Sequence, residues 1–182
     1  MYNTFGKVSK FIILELFPRE LREQMYRIGD RIAHPLHGAG VIERIEAKKV
    51  SGTVREYYVV KMPVGDMIVM IPKETSDTIG VRPIIDAEEA DIIIAAIAEL
   101  EVTMTQNWNR RYRENMMRIK SGDLMEVAAV IKGLVIRETD KGLSTGERKM
   151  LHSAKQIFIS EIVLSQRVSY EEVEQRLSTA LA

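Results

Sequence analysis

One heptapeptide, Asn107-Trp108-Asn109-Arg110-Arg111-Tyr112-Arg113, holds the chain's single tryptophan and three of its arginines. Cations beside an exposed aromatic suit a nucleic-acid duplex: guanidinium groups meet phosphates and a flat ring can enter a base step. The same residues also read as core. Trp108 and Tyr112 stand four apart and so share a face of a helix, and a lone tryptophan is highly buried on average. On the heptapeptide alone the core reading is the stronger of the two.

Other chemistry is thin. No cysteine is present, which removes disulfides, thiol nucleophiles and cysteine zinc sites and fits a reducing compartment. His34 and His37 flank a turn and lack any cysteine partner, so neither a metal site nor a cofactor is expected. No G-x-x-x-x-G-K-[ST] loop occurs. Ser144 is accounted for as a helix cap, and no carboxylate pair or Ser-His-Asp set stands out, so no enzymatic activity is expected. Lys48-Lys49-Val50 reads either as surface charge that protects a strand edge or as the flank of an edge that pairs with another protein, and the first is favoured on the residues alone.

The chain has 182 residues, 46% hydrophobic and 29% charged, enough for one large or two small domains. Its 26 basic and 26 acidic side chains cancel, so any contact with DNA should be local and weak without a recruiting partner. The charge is nevertheless segregated. Asp86 to Glu101 is purely acidic; Arg110, Arg111, Arg113, Arg118 and Lys120 follow, and then Lys132, Arg137, Lys141, Arg148, Lys149 and Lys155. Such a run can build a positive face on a neutral protein, or be spread over solvated helices.

The elements that must carry these residues are of two kinds. Residues 1–24 read as an added N-terminal segment whose place in the translated protein is open, since Met25 begins the patterned chain. The apolar run Phe11 to Phe17 is far too short to span a bilayer. From residue 25 to 85 short β-branched stretches alternate with glycine turns. Strands are predicted at 31–34, at 41–46 with an extension to Val50, at 54–61 and at 67–71, with turns at 37–40, 51–53 and 64–66. A connector holding Pro72 and Pro83 follows. From residue 86 the period becomes helical, with helices near 87–100, 108–120, 124–138, 145–167 and 170–180. Capping-box patterns mark four of their starts: Asp86 with Glu89, Asp123 with Glu126, Ser144 with Glu147, and Ser169 with Glu172. The expected helical core comprises Leu124, Val127, Ala128, Ile131, Leu134, Val135, Met150, Leu151, Ala154, Ile157, Phe158 and Ile162. The fold class is α+β: a small, bent antiparallel β module followed by a compact all-α domain.

Several stretches in this order resemble the CarD/CdnL family of bacterial transcription regulators. They are Ile28-Gly29-Asp30, Pro35 to Gly40, Gly65-Asp66 with Ile71-Pro72, Trp108 with Arg110-Arg111-Tyr112, Ser121-Gly122-Asp123, Val127-Ala128, and Gly142-Leu143-Ser144 with Glu147 and Met150-Leu151. The β module also looks like the polymerase-interacting module of transcription-repair coupling factors. The resemblance implies a Tudor-like module that docks on the β subunit of RNA polymerase, and a helical domain that touches promoter DNA at the upstream edge of the melted bubble. It implies Trp108 as a minor-groove wedge, Arg110, Arg113 and Arg148 as DNA contacts, and Lys48, Val50 and Met70 at the polymerase interface. Two positions depart from the pattern: His34 replaces a common tyrosine, and Met70 stands where some members carry arginine. A cytoplasmic monomer with no membrane contact is expected. Docking would raise the local concentration of the DNA-facing domain to roughly millimolar for a short tether, which lets weak DNA contacts suffice. The rival reading is a protein-interaction scaffold in which Trp108 is core.

Overall fold

The computed structural model describes residues 26–182, so the expected N-terminal segment lies outside the described residues. Strands β1 (Arg31–His34), β2 (Gly38–Val50), β3 (Thr53–Lys61) and β4 (Ile68–Pro72) are all antiparallel. Ser51 and Gly52, with φ of 50° and 88°, close the β2–β3 hairpin. Positive φ at both turn residues matches the right-handed twist of the strands. Ile42, Tyr58, Val60 and Ile71 point to one side and bury against Tyr26, Ile32, Met62 and Val81. The pairing slips between Ile42 and Arg44, so Glu43 is an extra residue. This bulge lets Ile42 and Ile45, three apart, serve the same core face, which strict alternation would forbid.

The connector is more structured than its prolines suggested. A 3-10 turn (Lys73–Thr75) leads into a one-turn helix α1 (Ser76–Ile79), which Gly80 ends at φ 91°. A two-residue strand β5 (Arg82–Pro83) then pairs with β1, giving the sheet order β4-β3-β2-β1-β5. Two residues are too few to show a period, and Pro83 is tolerated because β5 is an edge strand.

The helices are α2 (Ala87–Glu99), α3 (Trp108–Lys120), α4 (Leu124–Lys141), α5 (Thr145–Gln166) and α6 (Tyr170–Leu181). The side chains of Asp86, Asn107, Asp123, Ser144 and Ser169 each accept a first-turn amide. Of the four expected capping boxes, only Ser144–Glu147 has both bonds; Glu126 turns instead toward Arg118 at 3.4 Å. Every expected helical core residue is buried except Val135, which packs partly buried on the same cluster. Ile93, Ile94, Ile97, Val173 and Leu177 complete it.

The β module rests on α5. The expected turn at 37–40 is a correction: only Pro35 to His37 turn, and Gly38 to Gly40 already belong to β2. The glycines there serve close approach. A Cβ on Gly38 would come within 2.3 Å of Ser160 Oγ, and one on Gly40 within 2.7 Å of Lys61 O. Ala39 N–H donates to Ser160 Oγ at 2.9 Å, and Arg31 Nη1 to Leu164 O at 2.8 Å. Arg82 spans the seam, donating to Gly122 O and pairing with Glu161, itself only 1% exposed. Glu161 also accepts Ile85 N–H at 3.1 Å.

Candidate nucleic-acid interface

Trp108 opens α3, held by the Asn107 cap, and is 45% exposed. It shares a face with Tyr112 as the spacing demanded, but that face is not core: the rings stack at 5.5 Å with 25° between planes. The indole N–H donates to Ser144 Oγ at 3.2 Å. Ser144 therefore does more than cap α5; it also fixes the rotation of the indole. Gly146 lies beneath the ring, where a Cβ would stand 3.7 Å from Trp108 Cζ2.

Beneath Trp108 is an ionic cluster that the sequence reading missed. Arg111 is 2% exposed. Its Nε and Nη2 reach Glu147 Oε1 at 2.9 and 2.6 Å, and its Nη1 donates to the carbonyls of Thr105 and Gln106. Glu147 Oε2 accepts both Ser144 N–H and Ser144 Oγ–H. Burial pushes the Glu147 carboxyl up, but the Ser144 and Arg111 hydrogen bonds outweigh it and hold the group at about 2. The Ser144–Glu147 spacing was the available signal. A capping glutamate on an otherwise buried helix start needs a cation, and nothing local in the sequence says which one.

The positive face is thinner than the sequence pattern suggested. Arg111 is consumed in the interior, and Arg137 lies 3.2 Å from the same carboxylate. Lys132 caps the end of α2, donating to Ile97 O and Ala98 O. Arg110 is exposed and pairs with Glu114 at 2.7 Å. Arg113 and Arg148 are exposed, on α3 and in the first turns of α5.

In the sheet, β1 covers only Gly38 to Val41 of β2, so the stretch from Glu43 to Val50 is paired on one side alone. Lys48 and Val50 are exposed there. Met70 lies partly buried on β4, and Lys48 Nζ stands 3.0 Å from its sulfur, so these two are brought together. Val50 sits apart at the hairpin tip. His34 and His37 have ring centroids 4.5 Å apart. Burial, then the neighbouring His37, pushes His34 down to about 4, and its Nδ1 accepts Leu36 N–H. No group of three or more metal-ligating side chains occurs among the described residues.

Residues 26–85 match the model of the CarD-like/TRCF RID domain, and residues 93–178 that of the CarD C-terminal domain. A Bacillus subtilis (strain 168) protein, named "Putative transcription factor YdeB", is 33% identical over 150 residues, covering 82% of this chain and 98% of that protein. The chain belongs to the CarD/CdnL family. The α+β architecture expected from the sequence, a Tudor-like sheet followed by a helical domain, is the observed one. The two CarD matches fall on either side of α2's first turns, with Trp108, Arg111 and Glu147 all within the C-terminal one. No helix among the described residues is long and apolar enough to cross a membrane.

Proposed function

We propose that this CarD-family chain is a transcription regulator that docks on the β subunit of RNA polymerase and stabilises the open promoter complex through minor-groove contact. The observation that carries the reading is the half-exposed, stacked and hydrogen-bonded Trp108. A ring whose rotation is already fixed loses little freedom on entering a base step, and unstacking that step costs a few kcal/mol. A ring that compensates this cost only in distorted DNA favours the open state, because an equilibrium shifts through differential affinity alone. Exposed Arg113, Arg148 and Arg110 are available for flanking phosphates. The one-sided outer half of β2, with Lys48, Val50 and nearby Met70, offers backbone groups and side chains to a docking strand.

The scaffold reading required Trp108 in the core, and it is not there. The promoter reading is tested with core RNA polymerase. The full chain is expected to co-purify with it and to lengthen the half-life of competitor-challenged open complexes. Co-purification without any change in half-life would overturn the promoter reading and leave only a polymerase-bound role.

A further inference from the structure

A cleft of about 180 Å³ lies between the 102–106 connector and α4, lined by Met104, Thr105, Gly133, Arg137, Asp140 and Lys141 among others. One water needs only ~10–15 Å³ of such space, so there is room for an ion of several heavy atoms. The glycine helps shape it: a Cβ on Gly133 would meet Met104 Sδ at 2.7 Å and Val102 Cγ1 at 3.0 Å, so a larger residue would push these side chains aside.

The electrostatics of this cleft are unbalanced. Glu147 accepts four hydrogen bonds, from Arg111 Nε and Nη2 on one oxygen and from Ser144 N and Oγ on the other. A carboxylate has about four lone-pair sites, so this one is saturated. Arg137 Nε approaches it to 3.2 Å, feels its charge, and is buried without a hydrogen-bond acceptor among the described residues. Two guanidinium groups thus share one carboxylate and leave one positive charge uncompensated. Within the cleft, Lys141 adds a cation whose Nζ, among the described residues, reaches only the Gln106 side chain, at 3.4 Å. Asp140 opposes it, but forms no ion pair with either cation among the described residues. The balance remains positive, and a planar guanidinium with open donors is matched to a phosphate.

We propose that the Arg137 cleft binds a phosphate group, supplied either by the DNA backbone next to Trp108 or by a free phosphorylated compound. The site is coupled to Trp108 through two side chains. Arg137 touches Glu147, Glu147 accepts the Ser144 hydroxyl, and Ser144 accepts the indole N–H. An occupant that draws Arg137 away from Glu147 therefore acts on the group that orients the ring. The backbone source rests on the promoter role proposed above; the free source does not.

Two measurements on the full chain separate the sources. The first is the melting temperature in inorganic phosphate against chloride at equal ionic strength, for wild type, Arg137→Gln and Arg137→Lys. The second is the salt dependence of duplex DNA binding for the same three proteins. Arg111 still pairs with Glu147 in both variants, and each shift is read within one protein, so a uniform loss of stability does not interfere. A free phosphorylated ligand predicts a phosphate-specific rise in wild type that Arg137→Gln abolishes and Arg137→Lys partly keeps. A backbone phosphate predicts that Arg137→Gln lowers the log–log salt slope by about 0.9, while inorganic phosphate has no specific effect. Either result supports the cleft, even if Trp108→Ala leaves promoter lifetimes untouched. No phosphate-specific shift in wild type, together with an unchanged slope or no measurable wild-type DNA binding, overturns it.

Discussion

Replacing Trp108 by alanine separates a projecting ring from a core ring by magnitude. Truncating a buried tryptophan costs about 3–5 kcal/mol. Trp108 is 45% exposed, so little over half of that packing is at stake. The exposed 3.2 Å bond to Ser144 adds only about 0.5 kcal/mol. The expected loss is about 2–3 kcal/mol, or about 4–12 °C in melting temperature at the ~2–4 °C per kcal/mol typical of this chain length. Arg111→Ala is the internal standard. It removes the main partner of a carboxylate that is 3% exposed, which costs about 3–5 kcal/mol, so it should melt well below Trp108→Ala. The second assay follows open complexes on a promoter below both melting temperatures. Losing about 1.4 kcal/mol of preference for open DNA cuts the open-to-closed ratio about tenfold. Trp108→Ala should show that loss while remaining folded and bound to polymerase. If it melts as low as Arg111→Ala, or if it is folded and open-complex lifetime is unchanged, the reasoning from exposure to function fails.

Lys48→Glu should leave stability within ~0.5 kcal/mol of wild type, because the residue is exposed, and weaken capture of RNA polymerase; equal capture would remove this edge from the interface. Glu147 has a carboxyl held at about 2, below its ordinary 4.5, so its stabilisation is complete above pH 4.5 and drains away as pH falls toward 2. Acid titrations followed by circular dichroism should show Glu147→Gln already destabilised at neutral pH and with less further loss across that window; parallel curves would contradict the assignment. Gly38→Ala places a methyl against Ser160 Oγ at a backbone φ of 83°, so it should destabilise by more than ~1 kcal/mol. Pairing it with Ser160→Ala in a double-mutant cycle should recover part of that loss if the clash is the cause.

The helices were legible because their signals are local. Caps at Asp86, Asn107, Asp123, Ser144 and Ser169 and the apolar period from Leu124 to Ile162 need only near neighbours to act. The hairpin was legible for the same reason, through Ser51-Gly52. What was hidden is long-range. Arg111 looked like one more surface cation because its partner, Glu147, is 36 residues away. The same distance in sequence hid the partners of Lys132 and Arg137, whose run of charge had left a positive face and solvated helices equally open. β5 was missed because it is a strand only by virtue of pairing with β1. The face shared by Trp108 and Tyr112 could be read from their spacing, whereas its exposure depended on which helix packs beside it.

The seam between sheet and helices has a consequence for how the chain could be altered. Ala39 on Ser160, Arg31 on Leu164 and Arg82 on Glu161 hold the two halves at several points, and only residues 84–86 separate β5 from α2. The molecule behaves as a set square rather than as two beads on a string. The angle between the outer edge of β2 and the plane of the Trp108 ring is written into Gly38, Ser160 and Arg82. Substitutions there would change that angle without altering a residue of the outer β2 edge or of α3. Sequence drift along this seam would therefore change how the ring is presented while Lys48, Val50 and Trp108 stay the same.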